Sequence, residues 1–130
     1  MSAEREVAAA AAAIVAAFAD SRTDDYFAAF TPEATFVFHT TARRLESVEE
    51  YREQWRAWES EDGFRVLGCV SSNQRVQLLA EGAAVFVHDV ETRVRAGGVE
   101  ETQRERETIV FTRREHRWLA IHEHLSPAVP

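Results

Sequence analysis

Lysine is absent from these 130 residues, and all fifteen basic side chains are arginine. That absence excludes lysine Schiff-base chemistry, and with it the lysine-dependent aldolases and the pyridoxal phosphate enzymes. Cysteine is almost absent: the single Cys69 excludes an internal disulfide and any multi-cysteine zinc site, and it fits a reducing compartment. No apolar run approaches the length of a membrane span. The alanine run from Ala8 to Ala13 follows Glu4, Arg5 and Glu6, so it lacks the basic front of a secretory signal. These features predict a cytoplasmic location. Three prolines and five glycines leave few break points. Apart from the alanine run and the last few residues there is no linker, repeat or low-complexity tail, so residues 1–130 read as one domain, long enough to bury roughly two thirds of its unfolded surface. Twenty-two acidic against fifteen basic side chains give a formal charge of −7, which argues against nucleic acid or a membrane as partner.

What is present follows two periods. Residues 3–20 are alanine-rich with Ile14, Val15 and Phe18 at helical spacing and acids at the start, which predicts a first helix. Thr23 before Asp24, Asp25, Tyr26, Phe27 and Phe30 predicts an N-cap and a short second helix ending before Pro32. Thr35-Phe36-Val37-Phe38-His39 alternates as a short strand. Ser47-Val48-Glu49-Glu50 has capping-box spacing, and Val48, Tyr51, Trp55 and Trp58 extend a third helix to about Glu59. From Phe64 onward, long β-rich segments are separated by Glu81-Gly82, Gly97-Gly98 and Glu115-His116, which predicts four strands in a meander.

This order, helix, helix, strand, helix and then four long strands, resembles the cone-shaped α+β fold of the SnoaL-like and nuclear transport factor 2-like superfamily. The resemblance implies three N-terminal helices packed on a strongly curved, mostly antiparallel, cystatin-like sheet. The C-terminal stretch carries Trp118, then His122-x-His124-x-Ser126. It is similar to the closing hairpin of the calcium/calmodulin-dependent kinase II association domain. Ketosteroid isomerases of this superfamily place an aspartate base on the first strand, where this chain has Phe38. The association domain places arginines in its cavity, where this chain has His88 and Ile109. The superfamily implies acid-base isomerase, dehydratase or cyclase chemistry on a small organic ligand. Alternatives are a non-catalytic ligand-binding or oligomerisation module, as in the association domain, and a metal-free carbonic anhydrase. For the last, His122, His124 and Ser126 match three places of a five-residue motif.

The turns set registers. With Gly97-Gly98 as a two-residue hairpin, paired residues sum to 195. Arg95 then faces Glu100, Glu91 faces Arg104 and Asp89 faces Arg106 on one side, while Phe86 faces Ile109, Ala84 faces Phe111 and His88 faces Glu107 on the other. A one-residue slip would destroy both patterns, so the His88–Glu107 pair is expected inside. With Glu115-His116 as the next turn the sum is 231, which predicts Glu107 opposite His124 and Ile109 opposite His122, so that Glu107 lies between two imidazoles. With Glu81-Gly82 as the first turn the sum is 163, which predicts Arg75 beside His88 and Ser71, Asn73 and Gln77 inward, unless a β-bulge exchanges the faces.

The catalytic set expected from this placement is His88, Glu107 and His124, since a carboxylate beside an imidazole raises its proton affinity while burial lowers it. The expected ligand contacts are His39, Tyr51, Trp55, Asn73, Arg75, Phe86 and His122. The same row also reads as a self-satisfied network that only specifies the core. No cofactor is expected, and no metal, because His122-x-His124 lacks a clear third converging ligand. Cys69 reads as a small buried hydrophobe and His116 as an exposed turn residue. Val85, Val87, Val110 and Ile121 share the outer parity with charged pairs, which predicts a homodimer through the sheet.

Overall fold

The computed structural model describes residues 2–128. Helix α1 runs Ala3–Ala19; the Ser2 hydroxyl accepts from the Arg5 amide, and Glu4 and Glu6 sit against the positive end of the helix. Its buried stripe is Val7, Ala11, Ile14 and Ala17, spaced three or four apart. Helix α2 runs Thr23–Ala28 and buries Tyr26 and Phe27; Arg22, not Thr23, stands at its cap position and makes no side-chain capping bond.

Strand β1 spans Phe30–Phe38 and so begins five residues before Thr35. It includes Pro32, which is tolerated because β1 lies at the sheet edge and the ladder to its neighbour is interrupted between Phe30 and Thr35. Helix α3 follows over Val48–Asp62. The Ser47 hydroxyl accepts from the Glu50 amide at 3.1 Å, while the Glu50 carboxylate reaches one residue further back, to the Glu46 amide at 2.9 Å. The helix outlasts Glu59 because its stop signal is Gly63, held at φ +62 with its amide on the Glu59 carbonyl.

Strands β2 (Arg65–Ala80), β3 (Ala83–Ala96), β4 (Val99–Arg114) and β5 (Arg117–Pro127) complete a five-stranded sheet ordered β1-β5-β4-β3-β2. Only the β1–β5 pair is parallel. The sheet is curled and unclosed, giving a cone-like α+β fold. The β3–β4 ladder has no irregularity from Ala96↔Val99 back to Ala83↔Thr112, so every pair sums to 195. Its Gly97-Gly98 turn takes positive φ at both residues, as a tight hairpin needs.

The other two ladders carry bulges. Between β4 and β5 the pairs sum to 231 only from Arg114↔Arg117 to Phe111↔Ala120; the next is Val110↔His122, so Ile121 is the extra residue and every later side chain changes face. Strand β2 shifts register against β3 three times, including between Ser72 and Arg75, where Asn73 has φ +51. The inner face of the sheet and the helices bury one apolar cluster, in which Phe36, Phe86, Phe111 and Ile109 are almost wholly enclosed.

Candidate functional site

A cavity of about 230 Å³ lies between the helices and the inner face of the sheet. Its apolar wall comes from Ile14, Val15 and Phe18 on α1, Tyr51, Trp55 and Trp58 on α3, and Val90 and Val94 on β3. Carboxyl groups enter from two neighbouring strands. Glu105 and Glu107 alternate inward on β4, and Glu123 points the same way on β5 because the Ile121 bulge has turned it there. Glu107 is paired with Leu125 and Glu123 with Ile109, so the two acids are diagonal neighbours across the ladder.

A chain of hydrogen bonds runs through them. The Tyr51 and Tyr26 hydroxyls are 3.0 Å apart, and the Tyr26 hydroxyl donates to Glu123 Oε1 at 3.2 Å. On the far side His88 Nε2 is 2.6 Å from Glu107 Oε1, His88 Nδ1 is 2.6 Å from the Ser71 hydroxyl, and Gln74 donates to that hydroxyl at 2.9 Å. Consistent use of donors assigns the protons. Gln74 donates to Ser71, Ser71 to His88 Nδ1 and His88 Nε2–H to Glu107. From the other end Tyr51 donates to Tyr26, Tyr26 to Glu123 and the protonated Glu123 to Glu107. Both lines end on the Glu107 carboxylate.

Burial sets the protonation that this pattern needs. It pushes the Glu123 carboxyl well above the usual carboxylate range, and the neighbouring Glu107 charge adds to that. Burial also raises Glu107, against which the hydrogen bond from Glu123 pulls down. Two carboxyls this close share one proton rather than ionise together. Burial holds the His88 imidazole down at about 4, so it is neutral at pH 7 and donates through Nε2. Burial likewise pushes the Tyr26 and Tyr51 phenols up and the Cys69 thiol to about 11, so none of them supplies an anion at neutral pH.

The expected His88–Glu107 pair is therefore inside, and Tyr51 and Trp55 line the cavity. His39 follows the end of β1 and its Nε2 lies 2.5 Å from Glu105 Oε2, which ties an exposed residue to the cavity wall. Phe86 packs 4.7 Å from the His88 ring in the core and does not reach the cavity. Other expectations are corrected with it. His124 is exposed opposite Thr108, and His122 bonds Thr35 at 2.8 Å, both on the outer face, because the Ile121 bulge exchanges the parity of β5. Ser126 pairs with Arg106 on that same face, so the His122, His124 and Ser126 row points away from the cavity. Arg75 is exposed opposite Val87, and Asn73 is exposed and donates to Asp89 at 3.2 Å, because the β2 irregularity falls between Ser72 and Arg75. Ser71 alone of the expected inner β2 residues reaches His88.

Sequence reasoning missed Glu105, Glu123 and Tyr26. Glu105 shares parity with Glu107, Ile109 and Phe111 and was available from that alternation. For Glu123 the signal was Leu125, an apolar residue of the same parity. Nothing in a six-residue helix announced that the Tyr26 hydroxyl would meet an acid 97 positions away. Among the described residues no three His, Cys, Asp or Glu side chains are arranged to hold a metal ion, and no helix is long and apolar enough to cross a membrane.

An α+β cone with helices closing one face of a curled sheet over an acid-bearing cavity has the nuclear transport factor 2-like fold. Within it the chain belongs to the SnoaL-like domain family, whose profile matches residues 7–130. Three solved structures show the same fold. A ketosteroid isomerase-like protein from Erwinia carotovora atroseptica is 16% identical, with 98% of this chain and 97% of that one covered and a TM-score of 0.81. The calcium/calmodulin-dependent kinase II hub homology domain from Chlamydomonas reinhardtii is 18% identical, with 99% and 100% covered and a TM-score of 0.76. A nuclear transport factor 2-like protein from Prochlorococcus is 15% identical, with 100% and 96% covered and a TM-score of 0.80. No curated protein matches the chain.

Proposed function

We propose that this cavity takes a small organic molecule with an apolar body and that Glu107 and Glu123 move a proton on it, as an isomerase, dehydratase or cyclase does. The carrying observation is the pair of buried, neighbouring carboxyls, Glu107 and Glu123, facing one apolar cavity. Such a pair offers a general base and a general acid to one ligand at neutral pH. Glu107 is the base, Glu123 the acid, and His88 and the two tyrosines are positioning residues that hold those roles apart. Apolar surroundings strengthen both roles, since a charge that develops on the ligand there is poorly screened. The ketosteroid isomerase-like neighbour is consistent with this chemistry by fold.

The test begins with a thermal-shift screen of small carbonyl compounds and related metabolites, in which a true ligand raises the melting temperature saturably. Glu107→Gln should then abolish turnover of that ligand while unfolding stays cooperative; unchanged binding and turnover in the variant would refute the proposal. A ligand held without conversion would instead leave a binding module.

The outer face supports a second element of the reading. Val85, Val87, Val110 and Ile121 are half-buried there, beside the Arg95–Glu100 and Arg104–Glu91 ion pairs. An apolar centre with a charged rim suits a second copy of the chain. The proposed form is a cytoplasmic homodimer.

A further inference from the structure

Every charged side chain lining the cavity is an acid: Asp62, Glu105, Glu107 and Glu123. No arginine or histidine among the described residues lines it, although the chain carries fifteen arginines. Glu105 has the His39 imidazole at 2.5 Å on its outer side. The Glu107–Glu123 pair has no such partner: its one imidazole, His88, is held neutral by burial at pH 7. One negative charge therefore stands in a largely apolar enclosure without a cation against it, an arrangement that is costly to dry out further. An entering neutral molecule displaces water from that charge and returns at most a hydrogen bond, and an entering anion is repelled. A cation returns a Coulomb attraction that is strong in these surroundings.

The same wall carries aromatic rings. Trp55 and Phe64 are 5.3 Å apart and nearly perpendicular, Trp58 and Phe64 are 5.6 Å apart, and Phe18 meets Trp55 edge-on at 5.8 Å. All four line the cavity. Ring faces attract a positive charge and pack an apolar body at once. Resting on the reading of this cavity as a ligand pocket, we infer that its ligand is a small organic cation, an amine or alkylammonium with a compact apolar body, whose charged nitrogen sits against Glu107 and Glu123. The shared proton of the pair remains in place, because a single positive charge balances its single negative one.

Matched probes decide this. Cyclohexylmethylamine, cyclohexylmethanol and cyclohexanecarboxylate, with their phenyl counterparts, share skeleton and size and differ in charge. Isothermal titration of the whole chain at pH 7 and low salt should give the amines at least about tenfold tighter binding than the alcohols, and no saturable binding of the carboxylates. Glu107→Gln should weaken the amines about tenfold and so narrow their margin over the alcohols. The comparison within the unsubstituted protein stands even where the variant folds poorly. Alcohols bound as tightly as the amines, or more tightly, overturn the cation inference and leave the pocket intact. No saturable binding by any member of either series overturns both.

Discussion

Replacing Glu123 by glutamine should expose a pH dependence of stability that the native chain conceals. In the folded state burial holds His88 at about 4 against an ordinary 6.5. Between those values unfolding takes up a proton at His88, so this group makes the protein less stable as pH falls. Glu123 does the opposite. Its folded carboxyl is held well above the ordinary 4.5, so from 4.5 upward unfolding releases a proton, and this group makes the protein less stable as pH rises. Between 4.5 and 6.5 the two contributions therefore oppose each other. Glutamine at 123 removes the second and leaves the first, with a slope of about 1.4 kcal/mol per pH unit. The variant should therefore lose about 2 kcal/mol between pH 6.5 and pH 4.5, a loss that Glu123 opposes in the native chain. The lowered Glu33 carboxyl, at about 2, titrates below this window. Urea unfolding at pH 4.5, 5.5, 6.5 and 7.5 measures the two curves, and any constant offset from the substitution drops out of the comparison. Parallel curves for the native chain and Glu123→Gln would refute the assignment of one proton to Glu123 and none to His88.

Val87→Arg should shift the sedimenting species from about twice the chain mass toward one chain at micromolar concentration, and a monomeric unsubstituted protein would dispose of the outer-face dimer. His124→Ala should leave ligand affinity within about twofold and stability within about 0.5 kcal/mol, because the side chain is exposed on the face away from the cavity; a large loss of affinity would place it at the site after all. Gly63→Ala should cost about 1 kcal/mol in urea unfolding, all of it from the left-handed backbone, since a Cβ there meets nothing within 4 Å.

The parts of the fold that were legible in the sequence are those where two independent patterns agree. Gly97-Gly98 names a turn, and the charges on one face of β3 and β4 pair as well as the apolar residues on the other, so the whole ladder and the His88–Glu107 contact follow. Helix α3 was legible from Ser47 and its aromatic stripe, but its end was not, because the stripe stops at Trp58 while the helix continues to the glycine stop at Gly63. The β4–β5 ladder failed where a single pattern was ambiguous. In Ile121-His122-Glu123-His124 both parities are polar, so chemistry alone does not choose between an inward acid and two inward imidazoles, and the bulge at Ile121 has no glycine to mark it. In β2 the alternation is weak and most of the strand is exposed, so little burial holds one register, and Asn73 in the left-handed region was the available sign of a break.

That ambiguity has a physical consequence for β5 itself. The strand is written in two reading frames offset by one residue, and each is chemically complete. In the observed frame it shows the cavity Glu123 and Leu125; in the other it would show two imidazoles and turn both of those outward. The observed frame is held by the Tyr26–Glu123 bond, by Leu125 against the core cluster and by the absorbed residue at Ile121. Dissolving the bulge without deleting a residue slides the final segment of the chain by one step. The cavity would then exchange one carboxyl for two weakly basic groups with no change in composition.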